Sequence, residues 1–147
     1  MLVWDSPREV NEWIASRKGG RAFPEYCTAL GWAKAGKLVA GLVFHDTNGV
    51  NCNVNIALDG GVFPVGLLKA GLNYTFGQLQ LRRLTFIVSE GNIRSQNLCT
   101  ALGAIPEATL RDADINGNLL IFALFPENCP IWSRLNGQRR RGSAASA

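Results

Sequence analysis

The sequence predicts an α/β domain of mixed α+β type, with a central sheet and flanking helices. Three observations carry that expectation: a strong helix start near the N-terminus, three strand-length runs in succession between turn signals, and a return to helical spacing before a closing Asn-Gly hairpin. At 147 residues and 47% hydrophobic content, the chain suits one domain with a substantial core.

The elements follow in order. Leu2 to Trp4 reads as a short strand. Ser6-Pro7-Arg8-Glu9 then starts a helix, with Ser as cap, Pro at the first helical position and Glu three residues after the cap. Val10, Trp13, Ile14 and Arg17 continue the helical spacing, and Gly19-Gly20 stops it. Tyr26 to Ala33, Leu38 to His45 and Asn51 to Leu58 read as an antiparallel meander, turned at "KAGK" and "DTNG". Asp59-Gly60-Gly61 ends the third of these strands. From Pro64 to Gln80 the period is helical, with Val65, Leu68, Leu72, Phe76 and Leu79 on one stripe. Arg83 to Ser89 is a strand and Ile93 to Leu102 a helix that starts at Asn92 and stops at Gly103. Two strands close the pattern, Ala108 to Ala113 and Leu119 to Phe125, with Asn116-Gly117 between them.

Composition excludes several classes of function. No apolar run approaches the roughly 18 residues of a bilayer span, and no basic start precedes an apolar signal core, so a cytoplasmic protein with no membrane partner is expected. Cys27, Cys52, Cys99 and Cys129 are scattered, without a C-x-x-C pair and with a single His in the chain. Reduced, partly core-packed thiols are expected, with neither a disulfide framework nor a metal site. Formal net charge is +4, but Arg134, Arg139, Arg140 and Arg141 all lie in the last fourteen residues, which leaves residues 1–133 neutral. A neutral globular part has no excess charge for gripping nucleic acid. The segment 134–147, basic and rich in Ser, Gly and Ala, reads as a flexible tail.

The stretch "GLLKAGLNYTFGQLQLRRLTFIVSEGNIRSQNLCTALGAIPEATLRDADINGNLLIFALF" carries a resemblance. A helix ending in Tyr74-x-Phe76, an Arg83-started strand, an Asn92-x-x-Ser95 helix closed by Leu102-Gly103, then Glu107, Leu110, Arg111 and Gly117, stand in order and spacing. Together with the element order, they resemble the GNAT N-acetyltransferase family over residues 20–133, in a form closest to the ribosomal-protein type and to small phage-encoded members. The final "FPENCPIW" is similar to the close of the phage members. The resemblance implies the GNAT acyl-CoA N-acyltransferase fold, in which a mostly antiparallel sheet has splayed central strands. Residues 1–133 would form that domain.

The chemistry implied is transfer of an acetyl group from acetyl-CoA to an amine, on a protein or a small molecule, by direct attack in a ternary complex. No metal is required. Gly60, Gly61, Val62, Phe63, Val65 and Gly66 would cradle the pyrophosphate, since glycines let backbone N–H groups approach phosphate at a helix start. Val65 stands where an Arg is common in phage members, and Lys69 is the candidate substitute. Ile56 and Leu58 would offer backbone groups to the pantetheine arm and the thioester oxygen. Asn92 and Ser95 would form the opposite wall. Cys99 occupies the place of the Tyr that reprotonates the departing thiolate in many members, so it is the candidate acid. Glu90 is the first candidate for the base, followed by His45 and Asp46. Arg17 to Tyr26 and Ala113 to Asn118 are the candidate acceptor loops.

The alternative is a catalytically weak or inactive GNAT-fold protein that regulates a host partner, working in the host cytoplasm if phage-encoded. The basic tail and a surface position for Trp132 would suit it. Monomer and homodimer are both open.

Overall fold

A computed structural model of the protein describes residues 1–17 and 27–146, with side chains throughout except at 139, 140 and 143–146. The expected acceptor loop from Arg17 to Tyr26, apart from Arg17 itself, lies outside the described residues, as does the Gly19-Gly20 stop. Seven strands form one sheet in the order β1-β2-β3-β4-β5-β7-β6. They are β1 (Leu2–Val3), β2 (Thr28–Lys34), β3 (Lys37–His45), β4 (Asn51–Leu58), β5 (Arg83–Ser89), β6 (Ile105–Asp114) and β7 (Gly117–Leu124). Every pairing is antiparallel except β4 with β5.

Helix α1 (Pro7–Arg17) begins where expected, with the Ser6 carbonyl accepting from Val10 N at 3.1 Å. Its Val10 and Ile14 are fully buried and pack with Ala29, Val43 and Ala57 on one face of the sheet. Close docking depends on Gly41 in β3, where a Cβ would stand 2.7 Å from Ile14 Cδ1. The other face carries the larger core, which joins alternate residues of β3, β4, β5 and β7 to helices α2 (Val65–Leu72), α3 (Ile93–Leu102) and α4 (Pro130–Ser146). Burying even-numbered residues of β4 and β5 (Cys52, Val54, Ile56; Leu84, Phe86, Val88) on this face follows from the period of two along a strand.

Several expectations are corrected. The helix expected from Pro64 to Gln80 is α-helical only to Leu72 and continues as a π-helical turn over Asn73–Gln78. There Thr75 is fully buried and its Oγ1 donates to the Gly71 carbonyl at 2.9 Å, while Tyr74 packs edge-on to Phe44. The closing hairpin starts earlier in both strands than the apolar runs suggested, because β6 is exposed along nearly its whole length and carries little apolar signal. The segment from residue 134 continues α4 as helical backbone. Pro130 sits at the helix start and Ile131 and Leu135 pack on the core, an anchor that low overall apolar content concealed. Trp132 is not at the surface: it is 7% exposed and meets Phe76 edge-on at 5.9 Å.

Candidate active site

The parallel pair β4–β5 runs only from Asn51↔Arg83 to Val54↔Phe86. Beyond that point β4 stays with β3, through Val43↔Asn55 to Ala40↔Leu58, and β5 stays with β7, through Ile87↔Ile121 to Ser89↔Leu119. The sheet therefore forks at Asn55 and Ile87, and the expected splay is present. On the α3 side of the fork lies a cavity of about 120 Å³ lined by Ile56, Leu58, Gly61, Phe63, Arg94, Ser95 and Leu98. Five of the expected binding residues thus meet around one opening. Arg94 and Leu98 join them without having been expected at the site; Arg94 was legible as the one basic residue of the helix that follows Asn92.

The loop after β4 turns on Gly60 and Gly61, at φ +67° and +75°, a region that L side chains rarely adopt. Val62 and Val65 are exposed, whereas Phe63 is buried beneath them. Pro64 caps α2 without any side-chain hydrogen bond and its carbonyl accepts from Leu67 N and Leu68 N at 3.1 and 3.2 Å, which leaves the N–H groups of Val65 and Gly66 at the positive end of the helix dipole. Gly66 belongs to that first turn and faces the indole of Trp32. Arg17 reaches the loop from α1: its Nε and Nη2 donate to the two carboxylate oxygens of Asp59, both at 2.7 Å. The hydrogen bond from Arg17 holds the Asp59 carboxyl below its ordinary range.

Asn92 caps α3, its Oδ1 accepting from Ser95 N at 3.1 Å. Glu90 is exposed, and its carbonyl accepts from Gln96 Nε2 at 2.7 Å while its N–H donates to the Asn118 carbonyl at 3.0 Å. Glu90 and Asn92 line a neighbouring open depression of about 460 Å³, together with Ser89, Asp114, Asn116 and Asn118. The second expected acceptor loop is therefore beside Glu90. Cys99 is fully buried in the core and is not part of either lining.

On the α1 side of the sheet, a run of polar side chains crosses the strands. Arg83 Nη1 donates to Glu107 Oε2 at 2.8 Å and its Nε to Thr85 Oγ1 at 3.0 Å. The Thr85 hydroxyl donates to Asn51 Oδ1 at 2.7 Å, Asn51 Nδ2 to Asn53 Oδ1 at 3.5 Å, and Asn53 Nδ2 to Asp46 Oδ2 at 3.4 Å. His45 meets the same carboxylate oxygen through Nδ1 at 2.8 Å and Asn55 Nδ2 through Nε2 at 2.7 Å. His45 and Asp46 were legible candidates; the three asparagines were not. All four cysteines are free and buried, and burial raises the thiol pKa of Cys27, Cys52 and Cys129. Among the described residues no group of three or more His, Cys, Asp or Glu could hold a metal ion, and no helix is long and apolar enough to cross a membrane.

The forked sheet with a glycine loop feeding α2 defines a class: the chain has the fold of the GNAT acetyltransferases. Among solved structures it is similar to the ribosomal-protein-alanine N-acetyltransferase of Escherichia coli, at TM-score 0.61 and 17% identity over 85% of this chain and 92% of that one. It is similar to yncA, a candidate acetyltransferase of Salmonella typhimurium solved with its cofactor acetyl-CoA, at TM-score 0.62 and 10% identity over 85% and 92%. The spermidine/spermine N-acetyltransferase SpeG of Vibrio cholerae gives TM-score 0.59 and 18% identity over 69% and 66%. The chain spans less than two thirds of the length of several of the structures it resembles, 62% in one case. The sequence matches no protein-family model and none of the curated proteins.

Proposed function

We propose that this chain is an acetyl-CoA-dependent N-acetyltransferase. The observation that carries the reading is the fork: past Val54 and Phe86, the facing backbone edges of β4 and β5 are unpaired with each other, and the cavity beside them is lined by Gly61 and apolar side chains together with Arg94 and Ser95. An extended amide-containing arm such as pantetheine can take up those strand hydrogen bonds. The cradle from Gly60 to Gly66 and the start of α2 would hold the pyrophosphate, with Arg94 and Lys69 as the nearby cationic residues. The backbone of Ile56 and Leu58 would stabilise the thioester oxygen as it gains charge.

In the reaction, the amine nitrogen attacks the thioester carbon, the C–N bond forms and the C–S bond breaks. The amine proton passes to a base, for which Glu90 is the candidate, and coenzyme A leaves as a thiolate that takes up a proton from water, with Cys99, outside the cavity lining, as the second candidate. The neighbours' names supply two acceptors to try, an alanine-headed peptide and spermidine. Residues 1–133 would carry the activity, with the basic segment that follows serving contacts to partners. Titration of the purified protein with acetyl-CoA, followed by assay of thiol release with each acceptor, tests the reading. Saturable binding and acceptor-dependent release are expected; absence of binding overturns it.

A further inference from the structure

Asn55 is the first residue of β4 beyond the last β4–β5 pair, so it stands at the fork itself. Its neighbours Ile56 and Leu58 face the cavity beside α3, whereas the side chain of Asn55 lies on the α1 face, where it meets His45. The fork is thus addressed from both faces of the sheet, by apolar groups on one and a carboxamide on the other.

The direction of each hydrogen bond around that carboxamide follows from chemistry. An ionised carboxylate only accepts, so His45 Nδ1 must carry the proton it shares with Asp46 at 2.8 Å. In neutral imidazole the other nitrogen then accepts, so Asn55 must turn its Nδ2 toward Nε2, at 2.7 Å. The Asn55 oxygen is left facing away from the ring, and no described residue donates to it. Asn53 Nδ2 also donates to Asp46, and Asn51 and Thr85 feed that bond in turn, so the whole run polarises toward one carboxylate.

We propose that Asn55 receives the acceptor amine at the fork, with Oδ1 accepting an N–H of a primary amine, and that His45 and Asp46 are positioning residues that hold this oxygen outward. This rests on the acetyl-transfer reading and adds to it the group that aims the nucleophile. Asn55 takes no proton. It directs the amine's lone pair toward the thioester carbon while the proton leaves to the base already named.

The imidazole can be read directly, because His45 is the single histidine of the chain. Nitrogen-15 NMR of the unliganded protein should show the neutral ring protonated on Nδ1, and Asp46→Asn should relax it toward Nε2. With the alanine-headed peptide or spermidine as acceptor, Asn55→Ala should lower kcat/KM for the amine about 10-fold, the loss of one hydrogen bond. Its acetyl-CoA affinity should be unchanged. Asp46→Asn, nearly isosteric, should raise the acceptor KM in the same sense and guards against a variant that fails to fold. A wild-type ring protonated on Nε2, or acceptor kinetics in Asn55→Ala equal to wild type, overturns the proposal. Failure of acetyl-CoA to bind overturns the acetyl-transfer reading instead, and the ring spectrum still decides whether the carboxamide is held as described.

Discussion

Gly66 lies so close beneath Trp32 that a Cβ on the glycine would stand 2.5 Å from the indole Cη2. The first turn of α2 is seated on β2 through that contact. Gly66→Ala must therefore displace the ring or the helix, and overpacking of this kind costs about 1–3 kcal/mol. Urea denaturation should show the midpoint fall by a corresponding amount. An unchanged midpoint would mean that Trp32 swings aside freely.

A clean test of the phosphate cradle belongs one residue earlier. Val65 is 54% exposed at the head of α2. Val65→Glu places a carboxylate where a helix tolerates negative charge well, so stability should hold. Facing a pyrophosphate, the same charge should weaken acetyl-CoA binding at least about tenfold by calorimetry, and less so at high salt. Equal affinities in the two proteins would remove the cradle from Gly60 to Gly66.

The Arg17–Asp59 pair gives stability a definite dependence on acid. The Asp59 pKa is lowered in the folded state by the hydrogen bond from Arg17. Its contribution is therefore complete above the unfolded carboxyl value of about 3.9 and is lost as pH falls through the lower folded value. Asp59→Asn should flatten the stability profile only below about pH 4. The effect should be small, since both side chains are more than a third exposed. A difference between the two proteins that appears only above neutrality would contradict this assignment.

Cys99 is enclosed by the core, fully buried between α3 and the sheet. Cys99→Ala should lower stability by about 1–2 kcal/mol through lost packing, while kcat should stay within about twofold. A fall in kcat of about 10²-fold or more, with acetyl-CoA affinity intact, would instead establish the thiol as the proton donor.

The element order was legible because the hydrophobic period changes where the structure changes, from Val10 and Ile14 on a helix to alternating residues such as Cys52, Val54 and Ile56 on a strand. The π-helical turn was not, since Asn73–Gln78 keeps Phe76 on the same apolar stripe and a single extra residue per turn leaves no mark on spacing. The fork depends on where a ladder between two distant strands stops, and neither strand alone records that. The polar run was hidden in plain view: "NCNVN" sets an asparagine at every second position of a strand. Asparagine is depleted in strands, so three on one face signal work other than packing. Trp132 was misplaced for the opposite reason, because burial depends on partners from other elements and not on local spacing.

Only four residue pairs join β4 to β5, and through them the block β1–β4 to the block β5–β7. The two blocks behave as plates glued along one end of a common edge, with the other end gaping. A molecule filling the gap would act as a strut, replacing the missing rungs and tying the plates along their full length. Its binding energy would then appear as mechanical rigidity. Amide hydrogens on the facing edges from Asn55 to Leu58 and Ile87 to Ser89 would exchange more slowly, and the whole sheet would melt later, even with no change in the shape of either plate.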